Sequence, residues 1–66
     1  MGYKIKEVRE NLGMSQVQLA SISGISRTTI WELENGEKKV TTTRTLERLA
    51  NAMNVSVDDI FIVDRA

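Results

Sequence analysis

Apolar residues recur along this chain at helical rather than strand spacing. Ile5, Val8 and Leu12 make one stripe; Leu46, Leu49, Ala50 and Met53 make a cleaner one. Intervals of three and four residues put such side chains on one helical face, so the spacing predicts a first helix from Lys4 to Leu12 and a fourth capped by Thr42. A six-residue pattern then appears three times: Met14-Ser15-x-x-Gln18-Leu19, Ile25-Ser26-x-x-Thr29-Ile30 and Val55-Ser56-x-x-Asp59-Ile60. Each is a serine N-cap held between two apolar residues, a hydrophobic staple, and Gln18 and Asp59 can also complete a capping box. A cap of this kind is worth roughly 1 kcal/mol. With no proline in the chain, Gly13, Gly24 and Gly36 supply the stops, each just past a helical stretch. The predicted order is a helix, two helices joined by a tight turn, a short loop, a fourth helix and a short fifth. The tail Phe61-Ile62-Val63 is β-prone and fits two placements: a short strand against Met1–Lys4, or packing on a second subunit.

Sixty-six residues make one domain, spanning 1–66. A chain this short buries only about 60% of its unfolded surface, so local signals and self-association matter for its stability. Hydrophobic residues at 41% and charged ones at 27% fit a soluble globular domain. No apolar run approaches the ~20 residues of a membrane span and no signal-peptide core opens the chain, so a cytoplasmic location is expected. Without His or Cys there is no common general base near neutral pH, no thiol nucleophile and no familiar zinc set. The expectation is a non-enzyme with no metal and no cofactor. Asp58 and Asp59 read as first-turn acids favoured by the helix dipole rather than as a catalytic pair.

A net charge of zero argues mildly against a nucleic-acid binder, since phosphate neutralisation drives much of such affinity. Yet Arg27, Lys38, Lys39 and Arg44 cluster mid-chain, while Glu7 and Glu10 precede them and Asp58, Asp59 and Asp64 follow. One basic face and an evenly mixed surface both fit these positions.

The run Ser15–Gly36, SQVQLASISGISRTTIWELENG, places Ala20, Gly24, Ile30 and Leu33 where a helix-turn-helix needs a small residue, a turn glycine and two core contacts. It resembles the phage-repressor and Cro-type helix-turn-helix family, often called Xre-like. The likeness extends to the Lys4–Glu10 helix, the Leu33-Glu34-Asn35-Gly36 ending and the closing Asn54–Phe61 segment. It implies an all-α, five-helix lambda-repressor-like domain whose third helix enters the DNA major groove. By the same resemblance Arg27 and Thr28 read bases, and Glu32, one turn beyond Thr28, lies on the same face as a third expected base reader. An arginine can grip guanine O6 and N7, a threonine can offer a hydroxyl or methyl, and a glutamate can accept from cytosine N4. Glu32 has a second option, restraining Arg27. Gln16, Ser26, Thr29, Asn35, Lys38, Lys39 and Arg44 are expected at the phosphate backbone, with Gln16 also bracing the base readers and Thr29 equally suited to a cap role at the helix start.

Arg9 and Glu34 form an internal salt bridge in this family pattern, so Glu34 is not a DNA reader. Trp31 departs from the pattern, which commonly has a small or polar residue there. Its expected place is partly buried against neighbouring helices, the other option being contact with sugar-phosphate or a thymine methyl. Ser23 stands where an apolar residue is usual, and Val40-Thr41-Thr42 replaces a frequent proline. The implied function is a sequence-specific transcriptional regulator, a repressor that binds double-stranded DNA as a homodimer on a palindromic operator. Apolar residues Met53, Ile60, Phe61, Ile62 and Val63 are available either for that dimer or for the core. The alternative is an antitoxin-type module that neutralises a toxin protein. No small-molecule effector is expected, because no second domain exists to hold one.

Overall fold

A computed structural model describes residues 2–37 and 41–62 of the chain. The order is β1 (Gly2–Tyr3), α1 (Ile5–Asn11), α2 (Gln16–Ser23), α3 (Arg27–Glu34), α4 (Thr43–Ala52), α5 (Val57–Ile60) and β2 (Phe61–Ile62). The two ends meet as a short antiparallel pair, Gly2 opposite Ile62 and Tyr3 opposite Phe61. For Phe61 and Ile62 the strand against the N-terminal segment is therefore the placement adopted, while Val63 lies outside the described residues. The Tyr3 and Phe61 rings stack at 5.7 Å, and the Lys4 N–H donates to the Ile60 carbonyl at 2.8 Å. This last bond ties the start of α1 to the end of α5.

All three serine-capped helix starts form where the pattern puts them. The Ser15 hydroxyl accepts from the Gln18 N–H at 3.0 Å while the Gln18 side chain accepts from the Ser15 N–H at 2.8 Å. Ser26 Oγ accepts from the Thr29 N–H at 3.1 Å, and Thr42 Oγ1 caps α4 by accepting from the Thr45 N–H at 3.1 Å. At α5 the Asp59 carboxylate does the bonding, accepting from the Ser56 N–H at 2.9 Å and its hydroxyl at 3.0 Å. These bonds, the backbone one first, hold the Asp59 carboxyl below its ordinary range. The staples close as well: Leu19, Ile30 and Ile60 are fully buried, with Met14, Ile25 and Val55 packed partly buried against the core.

That core takes one fully buried large side chain from each helix: Ile5, Leu19, Ile30, Leu49 and Ile60. Around them lie Leu33, Leu46, Ala50 and Met53. α2 packs on both α3 and α4, and α1 packs on α3 and α5. Met53 and Ile60 belong to this core and are therefore not available to a second subunit. The α1 stripe needs a correction too. Leu12 is 51% exposed, whereas Arg9 is buried, because α1 ends at Asn11 and the chain turns before Leu12 can reach the core.

The α2–α3 turn depends on Gly24, whose φ of 73° closes α2 through an N–H bond to the Ala20 carbonyl at 3.0 Å. An added Cβ there meets only Arg48 Nη1, at an ordinary 3.6 Å, so the backbone angle rather than space demands glycine. Ser23 has a use in the same turn. Its buried hydroxyl accepts from the Ile25 N–H at 3.1 Å, which an apolar side chain cannot do. α4 ends without glycine: Asn54 takes φ 57°, and the Val55 N–H reaches back to the Ala50 carbonyl at 2.9 Å.

Candidate nucleic-acid interface

α3 has two unlike faces. Ile30 and Leu33 point into the core, while Arg27, Thr28 and Trp31 are exposed and Glu32 is half-buried. Helical spacing sets Trp31 one turn beyond Arg27 and Glu32 one turn beyond Thr28, giving two adjacent outward rows. Arg27, Thr28 and Trp31 line a single open depression of about 350 Å³. Among the described residues Arg27 makes no ion pair, so Glu32 does not restrain it here.

The inner edge of α3 is fixed by charge. Glu34, its last residue, receives Arg9 Nε at 2.8 Å and Arg9 Nη2 at 2.9 Å, a two-pronged contact. Arg9 Nη1 donates to the Met14 carbonyl at 2.7 Å, and the Gln16 amide donates to Glu34 at 3.0 Å. The Arg9 and Glu34 side chains are only 10% and 1% exposed. One carboxylate thus joins α1, α2 and α3, and Arg9 clamps the loop between the first two. The hydrogen bond to Glu34 raises the Arg9 pKa and outweighs the burial that opposes it, so the guanidinium stays charged. Such a cluster fixes the angle at which α3 presents its outer face.

The residues expected at the backbone are placed less uniformly. Ser26 and Thr29 share their hydroxyls at 2.9 Å at the start of α3. They line a second open depression of about 490 Å³ with Gly24, Ile25, Thr41, Thr42 and Thr45. The N-termini of α3 and α4 therefore lie side by side, and Arg44 stands exposed in the first turn of α4. Gln16 braces Glu34 rather than a base reader, which commits one hydrogen of its amide nitrogen inward. Asn35 closes α3, its backbone and side-chain nitrogens each donating to the Trp31 carbonyl at 2.9 Å. Lys38 and Lys39 lie outside the described residues.

Trp31 differs from expectation: it is 47% exposed, because the core side of α3 is already filled by Ile30, Leu33 and the Glu34 cluster. Arg48, which carried no local signal, has a guanidinium nitrogen against the α2–α3 turn at Gly24. Its position follows from how α4 docks, so no short-range spacing could have identified it. Among the described residues no group of three or more acids, histidines or cysteines could hold a metal ion. No helix among them is long and apolar enough to cross a membrane.

Comparison with known proteins places this geometry in context. A family model described as helix-turn-helix matches residues 5–60. An uncharacterised HTH-type transcriptional regulator of Archaeoglobus fulgidus is 38% identical over 64 residues, covering 97% of this chain and 90% of that protein. The competence pilus inhibition repressor of Acinetobacter baylyi is 38% identical over 63 residues; the match takes in 96% of this chain but only 56% of the repressor. Among solved structures, the restriction-modification controller protein C.AhdI from Aeromonas hydrophila superposes with a TM-score of 0.80 at 29% identity. That match covers 88% of this chain and 86% of the controller.

Proposed function

This chain belongs to the helix-turn-helix family of DNA-binding transcriptional regulators, and from that premise we propose that it is a sequence-specific repressor acting as a homodimer on a palindromic operator. α3 lies in the major groove with Arg27, Thr28 and Glu32 toward base edges. Ser26, Thr29, Arg44, Lys38 and Lys39 face phosphates, and Asn35 does so through the polar atoms left over from closing α3. Gln16 serves mainly through Glu34, as a positioning residue, and its remaining amide hydrogen can reach a phosphate.

The observation that carries this reading is the contrast between the two sides of α3. Its inner side is locked by Ile30, Leu33 and the Arg9–Glu34–Gln16 cluster, while Arg27 and Thr28 stand exposed with no side-chain partner among the described residues. Repression is supported by the Acinetobacter relative, which is named a repressor. Dimerisation is supported by site size: one such domain reads only a few base pairs, and two spaced by about one DNA turn double the sequence read. The toxin-neutralising alternative draws no separate support. Selection of bound duplexes from a random pool tests the proposal; it should enrich an inverted repeat with half-site centres about 10 base pairs apart. Enrichment of no sequence would remove base reading, and enrichment of a lone half-site would remove the dimer.

A further inference from the structure

We infer that Trp31, together with Arg27 and Thr28, forms a seat for the C5-methyl group of a pyrimidine in the major groove, making Trp31 a specificity-determining residue. The inference rests on the reading of α3 as the major-groove helix. Three observations lead to it. Trp31 is 47% exposed although it is the largest side chain of α3, and its exposure brings no benefit to the core. Its indole N–H makes no hydrogen bond among the described residues. Its ring also shares one depression with Arg27 and Thr28, the residues assigned to bases. The residues assigned to phosphate at the start of α3, Ser26 and Thr29, line a separate one.

The chemistry of the groove then narrows the ligand. On the major-groove edges of the four base pairs the groups are polar donors or acceptors apart from the C5-methyl of thymine and the much smaller C5–H of cytosine, so the methyl is the apolar group able to fill such a depression. Cytosine methylated at C5 presents the same group. An indole ring, the aliphatic stem of an arginine and a threonine methyl make an apolar surface that a methyl can fill. The guanidinium of Arg27 remains free to reach the guanine of an adjacent pair. A hydrogen-bonding side chain at position 31 has no such preference for a methyl.

The test uses the duplex selected from a random pool and asks for one methyl at a time. Each thymine of the half-site is replaced by deoxyuridine, and in separate duplexes each cytosine by 5-methylcytosine, at fixed salt. For the wild-type chain, loss of the contacted methyl should weaken binding about four-fold, the value of one buried methyl-sized group. If the methyl belongs on cytosine, methylation should tighten binding by a similar factor. Trp31→Ala should bind both members of that pair equally while keeping the salt dependence of the wild type. Trp31→Phe should keep most of the discrimination. Because Trp31 is exposed, circular dichroism of both variants should match the wild type. Indifference of the wild type to methyls at every pyrimidine, or full discrimination by Trp31→Ala, would overturn the seat while leaving base reading by α3 intact. A pool that yields no enriched sequence would instead overturn base reading itself, and the methyl seat with it.

Discussion

Glu32 and Glu34 sit two positions apart on α3 and have opposite roles, because a helix turns about 200° over two residues. Glu34 ends inside the bundle, against Arg9 and Gln16; Glu32 has no ion-pair partner among the described residues. Removing Glu34 strands a buried guanidinium, so Glu34→Ala should cost about 3–5 kcal/mol. For a domain whose total stability is of order 5–15 kcal/mol, that change should shift the urea midpoint severely. Glu32→Ala should stay within about 0.5 kcal/mol of the wild type. Comparable midpoints for the two variants would refute the division. The proposed roles of two arginines on DNA divide in the same way. Arg27→Ala should lose about 1–3 kcal/mol and relax the preference at one base position. Arg44→Ala should weaken all sequences alike and lower the salt slope by about one. Binding titrations on selected and scrambled duplexes at several salt concentrations separate the two patterns.

At the scale of elements, each helix is short enough to need help from its ends. α5 has four residues, too few to persist alone, and relies on the Asp59 carboxylate bonded to Ser56 and on the burial of Ile60. The native Asp59 carboxyl is held below its ordinary value, so the unfolded chain takes up this proton first. Its stabilising contribution is therefore complete above the ordinary carboxylate value of about 4, and is lost as pH falls through the lower native one. Thermal melts of Asp59→Asn should fall less steeply than the wild type as the pH drops below about 4. Parallel pH profiles for the two chains would show that the cap is not what couples α5 to pH.

On the scale of the whole molecule, a net charge of zero leaves little long-range attraction to DNA. In the proposed dimer the second subunit supplies what charge does not, since two linked half-sites multiply weak individual contacts. With Met53 and Ile60 in the core, the exposed large apolar side chains among the described residues are Leu12, Val17, Ile22 and Trp31, with Phe61 half-buried in the strand pair. Sedimentation at micromolar protein should show a two-subunit complex on the selected duplex. A single subunit per duplex at saturating protein would exclude dimeric binding.

What the sequence by itself determined are the features set by near neighbours. Caps at Ser15, Ser26 and Thr42, staples ending at Leu19, Ile30 and Ile60, and the left-handed turn at Gly24 all act within about five residues, so spacing alone reveals them. The Arg9–Glu34 bridge was legible only through resemblance, because its partners are 25 residues apart. Tertiary structure decided the rest: that Arg9 and not Leu12 faces inward, that Gln16 is bound to Glu34, that Arg48 lies on the α2–α3 turn and that Trp31 is left outside. Each of these depends on how far one helix is rotated against another. Periodicity along a single helix fixes which residues share a face, but only the packed neighbours choose which face is buried.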